Sequence, residues 1–390
     1  MKVGVTIFFQ NIPDFLQRGK PGDYSRPAVV PDNVCFAESL RLADLVEALG
    51  FDMLWTIEHH FGPYGMSCNP LQIFSYMAGR TERIGFGTMV VVLPWHDPIR
   101  VAEGITVLDN MLHGRRLMLG FGRGAAENEF KGFRVDYTDS RERMDEALEI
   151  VRRALTQEWF SFEGRFFKIP RMSVRPRPVT ADLTENMLFA WSSPETMEWA
   201  AATGGAPLFA NFSNWEAVAS SSAAFNRIRA EHGWHPVAPV AGGPVFCSTS
   251  RSETATAREW FKQTFDSSVW HYGLFNKPSL RALLAGKEGP ELERAIDEIY
   301  DDATRVGVFG TPEECVEQLV DIQARTGIGE LVCHMNFGLM PVEVAERSMR
   351  LFGSEVLPAL HAIDVPDVRA TPFAEVRSAS EPVLNRAEPG

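Results

Sequence analysis

The chain has 390 residues, of which 45% are hydrophobic and 23% charged, a composition that predicts a globular protein with a large core. Its net charge of −13 argues against nucleic-acid binding and against attraction to an anionic membrane surface. The five cysteines are scattered without a C-x-x-C pair, so neither a disulfide framework nor a zinc knuckle is indicated. The N-terminus enters a strand-like run and no span of about twenty apolar residues occurs, so we expect a cytoplasmic protein.

The first half of the chain alternates short apolar runs with amphipathic helical patterns, which is typical of a parallel sheet with crossover helices. Asp97 followed by Pro98 has the pattern of a helix N-cap and first turn. A loop is predicted over residues 122–132. In chain order, strands are predicted at 3–9, 52–57, 84–93 and 117–121, and helices at 33–49, from 98, and at 140–156.

In the second half of the chain, the alternation of strand and helix patterns is interrupted twice. Residues 158–183 are aromatic, basic and proline-containing, which suggests an inserted hairpin, and residues 266–303 look irregular, which makes them a candidate lid. The tail at 364–390 is rich in Pro, Ser, Ala and charge, and we expect it to be flexible. Strands are predicted at 187–191, 208–210, 240–248 and 330–335, and helices at 194–202, 215–231, 252–265, after a Thr311 capping box, and at 342–360.

Eight strand–helix units without a break in composition predict one closed (β/α)₈ TIM barrel over residues 1–363. A doubly wound open sheet is the alternative. Against that alternative, no G-x-G-x-x-G follows the first strand, where a dinucleotide-binding fold would carry it.

Catalytic groups of such barrels lie at the carboxyl ends of strands. Glu58-His59-His60 ends the second strand, and a histidine there can act as a general base near neutral pH. Adjacent histidines diverge in an extended chain, and no later strand end supplies further ligands besides an isolated His334, so no metal is predicted. The alternative is two histidines that pack a loop.

Two further segments suggest an anion site. Arg123 lies between Gly122 and Gly124 after the fourth strand, where backbone can approach a phosphate closely; the alternative is a tight turn with a solvated arginine. Ser193-Pro194 opens a helix after Trp191, and its first-turn amides could bind an anion; the alternative is simple capping.

The remaining clusters carry weaker signals. Glu127 and Glu129 could form a carboxylate pair, although spaced acids on a loop are usually solvated. The aromatic runs 260–261 and 270–272 are more typical of core packing than of cofactor contacts.

Taken together, these segments resemble the bacterial luciferase family. The motifs occur in the family's order over about residues 1–360: EHHF, GTMVVVLPWHDPIRVAE, MLHGRRLMLGFGRG, SPETMEWAA, GTPEEC and LVCHMNFG. The resemblance implies a (β/α)₈ barrel and reduced FMN that a separate NAD(P)H-dependent flavin reductase delivers. It also implies O₂ as co-substrate, which adds at flavin C4a to give a peroxyflavin.

The resemblance also implies roles for individual residues. His59 corresponds to the catalytic base, and Glu58 and His60 complete its motif. Arg123 corresponds to the phosphate-binding arginine, and the Met89–Val90 bond to a non-prolyl cis peptide under the flavin ring. The other residues expected at the cofactor are Gly122, Gly124, Ala125, Glu129, Trp191, Ser193 and Thr196.

The chain departs from the family pattern in its flavin loop. Ala125 and Ala126 are smaller than the family's residues, and Gly122 replaces a cysteine, so the substrate pocket should be wider and a long-chain aldehyde is not implied. We expect an apolar aldehyde, ketone, terpenoid or aromatic substrate and a homo-oligomer (dimer or tetramer). The alternatives are a deazaflavin-dependent dehydrogenase or reductase on the same barrel, and a non-catalytic flavin-binding partner subunit. Such partner chains tend to lose the EHHF histidine, which this chain keeps.

Overall fold

The computed structural model describes residues 1–191, 193–209, 214–276, 278–366 and 368. Within them, eight parallel strands close a barrel in the order β1-β2-β3-β5-β8-β9-β10-β12, and β12 pairs again with β1. The predicted TIM barrel is therefore confirmed. The strands of the chain are β1 (Lys2–Ile7), β2 (Met53–Thr56), β3 (Gly85–Thr88), β4 (Val91–Val92), β5 (Leu117–Gly122), β6 (Phe160–Glu163), β7 (Lys168–Met172), β8 (Met187–Phe189), β9 (Ala206–Phe209), β10 (Val240–Cys247), β11 (Val308–Gly310) and β12 (Glu330–His334).

Helices surround the barrel strands. Their caps follow the local sequence: the Asp97 side chain accepts from two first-turn amides, and Thr311 and Glu314 form the predicted capping box. The helices are α1 (Ile12–Asp14), α2 (Asp32–Ala48), α3 (Pro70–Ala78), α4 (Pro98–Leu112), α5 (Glu127–Phe133), α6 (Ser140–Thr156), α7 (Pro194–Ala202), α8 (Trp215–Glu231), α9 (Arg251–His271), α10 (Pro278–Leu284), α11 (Gly289–Thr304), α12 (Pro312–Thr326), α13 (Val342–Leu351) and α14 (Leu357–His361).

The inside of the barrel is filled by side chains whose fit depends on small neighbours. Trp55 of β2 is completely buried, and a Cβ on Gly4 or Gly87 of the flanking strands would lie within 2.6 Å of its indole ring. The Trp55 Nε1 donates to Glu330 at 3.1 Å, and Arg116 pairs with the same carboxylate at 3.1 Å. These polar contacts compensate for the burial of a carboxylate at this position.

Three local predictions were wrong. The predicted third strand is divided, because a cis peptide bond between Met89 and Val90 separates β3 from β4. The predicted loop at 122–132 contains helix α5. The region at 266–303 is helical rather than irregular: α9 extends to His271, and α10 and α11 follow. Whether that region acts as a lid stays a prediction.

The inserted segment forms a two-stranded sheet that is separate from the barrel sheet. Strands β6 and β7 pair antiparallel, as a hairpin requires. Val368 is buried and packs near Gly329 at the amino-terminal end of the barrel, whereas residues 369–390 of the predicted flexible tail lie outside the described residues. Among the described helices, none has the length and apolarity needed to cross a membrane.

Candidate active site

A cavity of about 250 Å³ opens at the carboxyl end of the barrel, where strands β2, β5 and β8 end. This is the end at which barrel enzymes carry their chemistry. One part of its wall is apolar, and the other carries an arginine, two carboxylates and a histidine. The lining residues are Glu58, His59, Met89, Val90, Val92, Trp95, Gly122, Arg123, Gly124, Ala125, Glu129, Ala190, Trp191, Thr196 and Tyr272.

His59 and Glu129 form a buried pair in this cavity. Residue 129 lies on α5, and one of its carboxylate oxygens is 3.0 Å from His59 Nδ1 and accepts from the His60 backbone N–H at 2.7 Å. Burial alone would raise the pKa of Glu129, but hydrogen bonds from His271 and His59 lower it to about 2. Burial lowers the pKa of His59 more than Glu129 raises it. The pair therefore consists of a carboxylate and a neutral imidazole near pH 7, which suits a general base.

His60 points the other way, as expected for adjacent residues of an extended chain. Its Nε2 lies 3.0 Å from Glu58, and its ring packs edge-on against Phe133. Glu58 also contacts His96 Nε2 at 2.6 Å and accepts from the Val92 N–H at 2.8 Å. Glu58 thus fixes the backbone at Val92, just after the cis peptide bond, and His60 packs against Phe133 and not toward the cavity. These contacts favour structural roles for Glu58 and His60, whose predicted catalytic roles remain untested.

The third part of the site is a cluster of cations and hydroxyls. Arg123 donates to the Tyr137 hydroxyl at 3.1 Å and lies over its ring, at the end of β5. At the N-terminus of α7, Ser193 caps the Thr196 N–H, and Arg141 of α6 donates to the Thr196 hydroxyl at 3.3 Å. A helix N-terminus beside guanidinium groups favours a phosphate. Arg141 was missed by the sequence analysis, because an arginine on an amphipathic helix carries no local signal.

The predicted flavin-loop residues form a close-packed wall. Gly124 has φ +83°, and a Cβ there would lie 2.8 Å from Trp95, so only glycine fits. A Cβ on Gly122 would lie 2.7 Å from Val90, which follows the cis peptide bond that the resemblance implied. Trp191 stacks on Phe225 with ring centroids 5.1 Å apart. The chemistry of this site fits a planar, anionic cofactor, because glycines and apolar side chains line one part of the cavity and the cation cluster suits a phosphate.

The aromatic run 270–272 does more than pack the core, which modifies the sequence-based expectation: Tyr272 packs against the cluster of Phe8, Ile57 and Tyr64 and also reaches the cavity. Tyr272 lines the cavity, and its hydroxyl lies 3.0 Å from His59 Nε2. His271 Nε2 lies 3.2 Å from the Glu129 carboxylate, whereas Trp270 is exposed. The contact between His59 and Tyr272 joins residues 213 positions apart, and no local pattern predicts such a contact.

The donor atoms of His59, Glu129 and His271 lie within 4.8 Å of one another, which is compact enough for a divalent metal ion. One Glu129 oxygen accepts hydrogen bonds from both the His59 ring and the His60 backbone. We interpret the group as a hydrogen-bonded carboxylate, and the absence of a metal stays a prediction.

The barrel and the site together define a flavin-type oxidoreductase, and comparisons with known proteins agree. Residues 1–329 match the family model described as luciferase-like monooxygenase. The alkanal monooxygenase alpha chain of the Kryptophanaron alfredi symbiont is 29% identical over 336 residues, 82% of this chain and 92% of that protein. The chain therefore belongs to the luciferase-like monooxygenase family, and the prediction of a flavin-dependent enzyme of this type is confirmed.

Solved structures of related enzymes share the fold of this chain. A monooxygenase from Streptomyces bottropensis is 25% identical, with a TM-score of 0.74 over 92% of this chain and all of that chain. The oxygenating component of 3,6-diketocamphane monooxygenase from Pseudomonas putida, solved with FMN, shares the fold at 19% identity and a TM-score of 0.69 over 94% and 99% of the two chains. Two F420-dependent enzymes also share the fold, at 16% identity and TM-scores of 0.63 and 0.67.

Proposed function

We propose that this chain is the oxygenase of a two-component monooxygenase. It would take reduced FMN from a separate NAD(P)H-dependent reductase and use O₂ to oxygenate an apolar small molecule. The observation that carries the proposal is one cavity that Arg123, Thr196 and the buried His59–Glu129 pair line together. Arg141 and Ser193 contact Thr196 beside this cavity and complete a cluster suited to a phosphate. The bound reduced flavin would supply the electrons that activate O₂ at its C4a position.

The protein's own residues have separable tasks in this proposal. Arg123 and Arg141 would hold the phosphate through charge-assisted hydrogen bonds, and the wall of Met89 and Val90 would support the ring. His59 would accept or return a proton at the reacting end, with Glu129 holding its ring orientation. Apolar side chains such as Trp95 would exclude water, which an activated oxygen species requires.

The substrate class follows from the same wall. The small side chains Ala125 and Ala190 and the apolar Val92 line the cavity. An apolar aldehyde, ketone, terpenoid or aromatic compound would lose little hydration energy there, whereas a charged substrate would lose much. The predicted lid at residues 266–303 would close over it.

Deazaflavin-dependent hydride transfer is the second candidate, since F420-dependent enzymes share the fold. The two candidates differ in O₂ consumption and in the fate of its oxygen. The test supplies the chain with FMN, a flavin reductase, NADH, ¹⁸O₂ and a panel of apolar carbonyl and aromatic compounds. Monooxygenation predicts a product that carries one ¹⁸O atom. Substrate turnover with reduced F420, without ¹⁸O in any product, would contradict the proposal.

A further inference from the structure

A row of hydroxyl groups continues from His59 into the barrel wall. The Tyr272 hydroxyl lies 3.0 Å from His59 Nε2, and the Tyr64 and Tyr272 rings pack with centroids 5.8 Å apart. Burial raises the pKa of Tyr64, and hydrogen bonding with Ser268 of α9 and with Tyr272 opposes this rise. The rings are packed together: the centroids of His59 and Tyr64 are 4.8 Å apart, and those of His59 and Tyr272 are 5.5 Å apart. Tyr64 and Ser268 are each only 3% exposed, so water does not compete for these contacts.

The charge of Glu129 determines which atom donates and which accepts in the hydrogen bonds of His59 and Tyr272. Glu129 is ionised and can only accept, so the hydrogen of neutral His59 is on Nδ1. His59 Nε2 is then an acceptor, and Tyr272 must donate to it. The Tyr64 oxygen in turn can accept from Ser268. The donors of His59 and Tyr272 therefore both point toward one carboxylate, an arrangement in which each hydrogen bond polarises the next.

We propose that Tyr272 is the catalytic residue through which protons pass between the cavity and His59, with Tyr64 and Ser268 as positioning residues. The inference rests on the proposed function, because it supplies a proton path for that reaction. It follows from the geometry: Tyr272 lines the cavity and its hydroxyl occupies the position at His59 Nε2 that a reacting group would otherwise use.

The proton transfer balances without an added reagent. A reacting group in the cavity gives a proton to the Tyr272 oxygen while the Tyr272 O–H bond breaks and an N–H bond forms at His59 Nε2. The result is an imidazolium beside the Glu129 carboxylate, the arrangement that stabilises the same charge in Ser-His-Asp sites. The reverse transfer returns the proton to the cavity. Burial raises the pKa of Tyr272 well above its usual value, so the phenol passes a proton without remaining ionised.

The alternative to a relay is that these tyrosines only pack the site. Tyr272→Phe separates the two, because it keeps the ring and removes the hydroxyl. Tyr64→Phe removes the next hydroxyl, and Tyr76→Phe is the matched control, since Tyr76 is exposed on α3 beside Arg80. None of these changes removes buried hydrophobic volume, so all three variants should fold.

The first measurement uses the cofactor-free full chain with ¹⁵N-labelled histidine, with the His59 signals assigned from a His59→Gln variant. We expect a protonated Nδ1 and a hydrogen-bonded Nε2. In Tyr272→Phe, the Nε2 resonance should move toward that of a free imidazole nitrogen. An unchanged resonance would show that the hydroxyl does not cap His59 and would overturn the proposal, whatever the reaction proves to be.

The second measurement compares oxygenation with reduced-FMN binding. We expect Tyr272→Phe to lower the product-forming rate about 10²-fold and change its solvent deuterium isotope effect. Tyr64→Phe should lower the rate less, Tyr76→Phe not at all, and the FMN dissociation constant should change less than about twofold. A parent-like rate in Tyr272→Phe overturns the relay. If the unsubstituted protein forms no ¹⁸O-labelled product, the proposed function is contradicted instead. The NMR measurement still shows in that case whether the Tyr272 hydroxyl contacts His59.

Discussion

The pKa values of individual residues at the site are determined by burial together with one or two polar or charged neighbours. Glu129 has a pKa of about 2 in a buried position because two histidines contact it, and burial lowers the pKa of His59. His96 shows the opposite balance: burial would lower its pKa, but the Glu58 carboxylate raises it. Glu129 and His59 at the cavity and His96 beside Glu58 therefore differ in their protonation behaviour, which the residue types alone do not predict.

Arg123→Ala should weaken the binding of reduced FMN by about 2–3 kcal/mol, the amount expected for one charge-assisted phosphate contact. Anaerobic titration measures this dissociation constant. The matched control is Arg134→Ala, because Arg134 is an exposed arginine that follows α5 and donates to the Gly132 carbonyl. If the dissociation constant of reduced FMN is unchanged in Arg123→Ala, Arg123 does not bind the phosphate and the G-R-G segment is only a turn with a solvated arginine.

His59→Ala should lower product formation by about 10²–10⁴-fold and leave FMN binding nearly intact, because affinity comes from the phosphate and ring contacts. His60→Ala should mainly cost stability, since its ring packs on Phe133. The measurement is stopped-flow mixing of the reduced complex with O₂, with product quantified separately. In the parent, activity should fall on the acid side, at a pH below the ordinary range of a histidine, because burial lowers the pKa of His59 and the base is lost only when it protonates. Loss of product in His60→Ala alone, in a folded protein, would mean that the wrong histidine was assigned.

The buried His334 should make the free energy of unfolding depend on pH. It is fully buried at the end of β12, stacks on Phe8 with centroids 4.1 Å apart, and burial lowers its pKa to about 3. Between about pH 6.5 and pH 3 the unfolded chain binds a proton that the folded chain does not, so stability falls as pH falls, by up to about 1.4 kcal/mol per pH unit.

Urea unfolding between pH 4 and pH 7 tests this. His334→Phe should reduce the slope of stability against pH, and the control His232→Gln, which alters an exposed ring, should keep the parent slope. A parent-like slope in His334→Phe would contradict the assignment.

At the scale of elements, the end of helix α9 and helix α11 belong to the region that we predict to close the site. Helix α9 brings Tyr272 to the cavity at its C-terminal end, and Asp266 on the same helix joins two other segments. Lys20 contacts Asp266 at 2.6 Å, and Tyr300 of α11 donates to its other oxygen. The apolar side of α11, with Ile296 and Ile299, is only half-buried, which leaves a surface that a closed state could cover.

Hydrogen exchange tests the lid. In the free protein, Asp266→Asn should speed exchange in residues 289–304 because the attachment through Lys20 and Tyr300 weakens. The control Asp302→Asn removes only an exposed contact with Arg305 and should behave like the parent. Reduced FMN together with substrate should slow exchange in the parent. Exchange there that is slow and indifferent to ligands would argue against a moving lid.

For the whole molecule, the barrel was predictable from sequence because each strand–helix unit carries its own signals. Asp97, Ser193 and Thr311 cap their helices by local hydrogen bonds, and the apolar periodicity marks the strands. The site was predictable only in part. Arg123 and His59 lie on strand ends that a motif marks, but Arg141 and Tyr272 reach the cavity through tertiary packing. The helicity of 266–303 was missed because its mixed charges and glycines obscured an amphipathic pattern.

The central claim is that this barrel is built around a reduced FMN rather than a deazaflavin. Anaerobic titration of the parent chain with reduced FMN and, in parallel, with reduced F420 tests it most directly. We predict that reduced FMN binds at least about tenfold tighter, a difference of about 1.4 kcal/mol, because Arg123, Arg141, Ser193 and Thr196 form a compact site for a single phosphate. Tighter binding of F420, or no saturable binding of reduced FMN, would contradict the account.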